Sequence, residues 1–219
     1  MAAFPGFRDI DFNTMVRGTH WRHRRALGGE LRKGLRKVYG RHYETWGIPG
    51  VNALHIARRA VYQFPPKRPQ AHLFVSAQPT TLQWGLLIPG GGDHWRRFRF
   101  RLNHDPAALT MLVHLLSVYP LTLTDVQSSL GGALGGCWRF EQDELTWMEA
   151  CTLPSASILN DIPFRIAALA NDSAVKLALY TETSPEKAIA WGASASERLL
   201  PILLALVPLY EMCVGGLHI

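Results

Sequence analysis

The sequence has few cysteines, no membrane-length apolar run and no nucleotide- or metal-site signature, and each absence removes a class of function. Cys137, Cys151 and Cys213 are scattered and form no CxxC pair, which argues against a disulfide framework, a zinc ribbon or thioredoxin-like chemistry. They read as reduced thiols of a cytoplasmic protein. The most apolar stretch, Leu199 to Leu209, contains Pro201 and Pro208 and gives way at once to Tyr210 and Glu211. It falls short of the roughly 20 residues that span a bilayer, so it reads as a buried helix, and no membrane association is expected. The N-terminus has neither a basic-then-apolar signal pattern nor an Arg/Ser-rich transit composition.

Catalytic signatures are equally sparse. Neither the glycines after Pro89 nor the Gly131–Gly136 run matches a phosphate-binding P-loop, and no strand-then-helix GxGxxG is present. GxSxG and HExxH are missing too. His20 and His23 have a spacing that can converge on a metal, yet no further ligand follows, and Arg22, Arg24 and Arg25 repel a cation. Glu141, Asp143, Glu144 and Glu149 read as an acidic hairpin edge, and the second glycine run as a wide turn before a mobile flap. No cofactor and no metal are expected, and the reading leans away from an enzyme.

What is present is an uneven charge. Residues 1–105 hold 18 Lys/Arg against 6 Asp/Glu, whereas residues 106–219 hold 5 against 11, within a net charge of +6. Such a reversal means a polyanion-binding face or mutual contact between oppositely charged surfaces. With 47% hydrophobic residues the chain can bury a sizeable core. It reads as an irregular arm over residues 1–16 and a single domain over 17–219, basic over 17–105 and acidic over 106–219.

Periodicity places the elements. Leu27, Leu31, Leu35, Val38 and His42 share a helical stripe within Thr19–Tyr43, with Arg22, Arg25, Arg32, Lys33, Arg36, Lys37 and Arg41 on the opposite arc. Gly28, Gly29 and Gly34 weaken that helix, and a break near Gly28–Gly29 would divide it. Leu54–Phe64, Ala71–Ala77 and Leu82–Ile88 read as strands, the last two joined at Gln78-Pro79-Thr80. Trp95–Leu102 alternates, which predicts a fourth strand with Arg97, Arg99 and Arg101 in a row on its open face. Asp105-Pro106 starts a helix that runs to Val118. Cys137–Phe140 and Glu144–Thr152 form a hairpin, Ile162–Ala170 a helix, Val175–Thr181 a strand, and Ser196–Met212 the buried C-terminal helix. Without regular βαβ alternation the class is α+β, an antiparallel meander packed with helices.

The function expected from these patterns is nucleic-acid or other polyanion binding, as a recognition subunit or domain of a larger prokaryotic-type assembly. Guanidinium forks match phosphate oxygens, so the contacts fall to Arg22, Arg25, Arg32, Arg36, Arg97, Arg99 and Arg101, with Trp95 available for stacking. Arg58, Arg59, Lys67 and Arg68 can extend that surface. Two rival expectations belong to other classes. One is a structural subunit that docks its basic half on an acidic protein partner. The other is an enzyme with a pocket near His94 and His104.

Overall fold

A computed structural model describes residues 3–13, 24–47, 52–64, 67–126, 131–141, 144–155, 161–169 and 174–215. In chain order the elements begin with α1 (Arg24–Tyr39), β1 (Tyr43–Trp46), β2 (Ala53–Arg58), β3 (His72–Ala77) and β4 (Leu82–Pro89). Next come α2 (Asp93–His104), α3 (Pro106–Val118), β5 (Thr122–Asp125), β6 (Gly136–Glu141), β7 (Glu144–Glu149) and β8 (Leu153–Ser155). The chain continues through α4 (Asp161–Ala168), β9 (Lys176–Thr183), α5 (Pro185–Ala190) and α6 (Ala195–Val214). The hydrogen-bonded strand order is β1-β2-β3-β4-β9-β5-β6-β7-β8. The pairings β1–β2, β2–β3, β5–β6, β5–β9, β6–β7 and β7–β8 are antiparallel, so the class is α+β. No helix among the described residues is long and apolar enough to cross a membrane.

The chain forms two compact units: Met1–Tyr62, His72–Gly85 and Thr181–Ala205 in the first, and Gln63–Ala71, Leu86–Tyr180 and Leu206–Ile219 in the second. Neither is one continuous stretch. In the first unit α1 buries Leu27, Leu31 and Leu35 completely. Its glycines do not break it; they are places of close approach. A Cβ on Gly28 would stand 2.8 Å from the Thr45 hydroxyl, and one on Gly34 would stand 2.4 Å from the Leu200 side chain. At the end of α1 the Tyr39 hydroxyl donates to the Leu204 carbonyl at 2.8 Å. Pro208 lacks the N–H that would normally serve that carbonyl, so Tyr39 supplies the missing donor. This is how α6 runs as one helix through Pro208, with Leu199, Leu203, Leu206 and Val207 fully buried.

Of the segment expected as an arm, residues 3–13 are described and turn their aromatic side chains inward. Phe4, Phe7 and Phe12 are buried, with neighbouring ring centroids 5.2 and 6.0 Å apart. Asp9–Phe12 is a 3-10 turn, and the Asp11 carboxylate accepts from the Arg8 N–H at 2.9 Å. The helix predicted to reach Tyr43 ends at Tyr39, and Tyr43 is instead the first residue of β1. Trp46 on β1, His55 on β2, His72 on β3 and Tyr62 form one aromatic cluster; the two imidazole centroids lie 4.5 Å apart.

In the second unit, Asp105 caps α3 by accepting from the Ala107 N–H at 3.1 Å, and Pro106 occupies the first turn, as the sequence predicts. The β6–β7 hairpin pairs Cys137 with Met148 and Trp138 with Trp147. The glycine run before it is pinned. Fully buried Asp125 accepts from the Ala133 N–H at 2.9 Å and the Lys176 N–H at 3.1 Å, and a Cβ on Gly132 would meet that carboxylate at 2.6 Å.

Candidate nucleic-acid interface

At 100° per residue, Arg25, Arg32 and Arg36 fall within about 40° of one another on α1, centred about 120° around the helix from Leu31. With a rise of 1.5 Å per residue, the stripe from Arg25 to Arg36 is about 16 Å long. Arg25, Lys33, Arg36 and Lys37 are exposed. None of these four side chains makes a hydrogen bond or ion pair with the described residues. Arg32 is half-buried; its Nε donates to the Gly28 carbonyl at 3.3 Å and its Nη1 meets Glu44 Oε2 at 3.3 Å.

Beside the stripe lies a groove of about 620 Å³. α1 contributes Ala26, Gly29, Glu30, Arg32, Lys33 and Arg36; Ala3 and the segment His42–Glu44 complete it. Glu44 is shared, since its other oxygen lies 3.2 Å from Arg59 Nη1. Glu30 accepts from the Phe4 N–H at 2.7 Å, which fixes the N-terminal segment against α1. The groove thus combines two engaged carboxylates with two cations, Lys33 and Arg36, that remain available to a ligand.

The expected arginine row does not form. Trp95–Leu102 lies within α2, where His94, Trp95, Phe98 and Leu102 make the buried stripe and Phe100 is 61% exposed. Phe98 and Leu102 satisfy both a period of two and a helical period; Trp95 and Phe100 separate the two readings, and both obey the helix. Arg97 and Arg101 are then one turn apart, with Arg99 on the far side. Each has a partner. Arg97 donates to the Val214 carbonyl at the end of α6 at 3.0 Å, and Arg101 meets Asp105 at 3.3 Å. Arg99 donates to the Ala167 carbonyl near the end of α4 and stands 5.6 Å from the Trp95 ring centroid. A cation at a helix C-terminus suits the negative end of the helix dipole, so Arg97 and Arg99 serve the fold. Trp95 is fully buried and cannot stack on a base.

Other expected sites also resolve. Arg22, His20, His23 and Asp143 lie outside the described residues, as does the side chain of Glu141. His94 and His104 are ten residues apart on α2, about 15 Å along its axis, so they are not neighbours. His94 Nδ1 accepts from the Ala71 N–H at 3.0 Å, and burial, aided by Arg97, holds its pKa down at about 4. His104 is exposed and stacks on Phe100. Among the described residues no group of three His, Cys, Asp or Glu is placed to hold a metal.

Sequence reasoning missed Gly29 and Glu44. The double glycine had the signature of a helix break, and the pairing of Glu44 with Arg32 and Arg59 depends on the β1–β2 register, Glu44 opposite Ala57. No protein-family model matches the chain, and no similar sequence is found among curated proteins.

Proposed function

We propose that the protein binds the phosphate backbone of nucleic acid along α1, as a recognition part of a larger assembly. The observation that carries this reading is the contrast between two sets of cations. The arginines of α2 are spent on carbonyls and carboxylates, whereas Arg25, Lys33, Arg36 and Lys37 are exposed and without partners among the described residues. The charge distribution supports it: the first unit carries 14 Lys/Arg against 7 Asp/Glu and the second 9 against 10. Clustered like charges repel one another, and a phosphate chain relieves that repulsion while releasing its counterions. Lys33 and Arg36 are the central contacts, Arg25 and Lys37 flank them, and Arg32 joins by exchanging Glu44 for phosphate.

The test is fluorescence anisotropy with a labelled oligonucleotide at low salt. Wild type is expected to bind, and the charge reversal Lys33→Glu/Arg36→Glu to lose at least about tenfold in affinity. An unchanged affinity would remove α1 from the interface. The rival reading, an acidic protein partner, draws on Glu44, a carboxylate paired with Arg32 and Arg59. That rival gains if the oligonucleotide fails to bind.

A further inference from the structure

We infer that the groove beside α1 receives a single phosphodiester strand and discriminates against duplex; this rests on the binding reading above. A helix that reads duplex DNA must protrude, because it enters a major groove about 12 Å wide. α1 does not protrude. One side is fully buried through Leu27, Leu31 and Leu35, and its basic side is the wall of a hollow of about 620 Å³. That volume belongs to the class that encloses small ligands, so it admits a short run of one strand and not the girth of a double helix.

The chemistry of the lining points the same way. Two of its α1 residues, Ala26 and Gly29, are small, which lets a backbone approach the helix closely beside Lys33 and Arg36. Glu30 and Glu44 stand on the same lining. A single strand can run along the cations and keep clear of both carboxylates. Duplex brings two phosphate ridges, one charge per about 1.7 Å of axis, and the second has to pass the carboxylates that line the same hollow. The lining has two rings, Tyr43, which is buried, and His42, which is exposed, so the strand is held chiefly by its phosphates and at most one base can stack. Binding is therefore tolerant of sequence.

The experiment compares one oligonucleotide, single-stranded and annealed to its complement, at matched low salt, with wild type and Gly29→Leu. Leucine favours a helix over glycine, and at that half-exposed helical position it places a side chain in the groove without altering charge. The single strand should bind wild type at least about tenfold more tightly than duplex. Gly29→Leu should lose that advantage while its melting temperature holds. Equal or tighter duplex binding by wild type overturns the strand inference and leaves the binding reading standing. Binding of neither form overturns both. Should the variant fail to fold, the wild-type comparison still decides.

Discussion

The Tyr39 hydroxyl lies 2.8 Å from the Leu204 carbonyl, the group that Pro208 leaves without its helical donor. Removing that hydroxyl strands a carbonyl inside a packed helix pair, so Tyr39→Phe should lower stability by about 1 kcal/mol with nucleic-acid affinity unchanged. Denaturant titration checks it. Two histidines add a pH dependence. Burial, with Arg24 as a lesser cause, holds His55 at about 4, and burial, with Arg97, holds His94 at about 4, both from an ordinary 6.5. Below pH 6.5 the unfolded chain takes up protons that the folded chain refuses. The stability these neutral imidazoles contribute is complete above that pH and is lost as pH falls toward 4. The loss should be on the order of 3 kcal/mol per histidine. Melting temperatures across that window should fall steeply in wild type and less steeply in His94→Gln. A flat wild-type profile would contradict the account.

At the scale of elements, α2 is instructive because two periods fit it. Phe98, Phe100 and Leu102 alternate, but the helix also recruits Trp95, which a strand would have placed among the arginines; burying the largest side chain decides the outcome. Arg99→Ala should therefore lower stability by about 2 kcal/mol, through the Ala167 carbonyl and the Trp95 face, and leave oligonucleotide affinity unchanged. Thermal melts and anisotropy on the same variant read both effects. Elements with local stop and start chemistry were legible: α3 begins at Pro106 and ends at Val118 as the sequence predicts, because Asp105 and Pro106 fix its start and Pro120 its end. Strands β3 and β4 and the β6–β7 hairpin were likewise set by turn residues. The continuity of α1 was not legible, since its glycines answer to Thr45 and Leu200, neighbours that only the tertiary fold supplies.

Across the whole molecule, the charge asymmetry was plain in composition, but its location was not. The first 105 residues contribute to both units, and the arginines of α2 fall in the second, where helix ends and carboxylates occupy them. Of the expected contacts, Arg25, Arg32 and Arg36 remain together on α1, and the groove beside them was invisible because it needs His42–Glu44 brought against the helix. The central claim is that α1, and not α2, meets phosphate. The most direct measurement is the salt dependence of single-strand affinity for wild type, Arg36→Ala and Arg101→Ala. Log affinity should fall linearly with log salt, by about 0.7 per phosphate contacted. Arg36→Ala should reduce that slope by about 0.7, one contact, while Arg101→Ala leaves it unchanged. A slope that responds to Arg101→Ala and not to Arg36→Ala, or affinity that does not vary with salt, would contradict the claim.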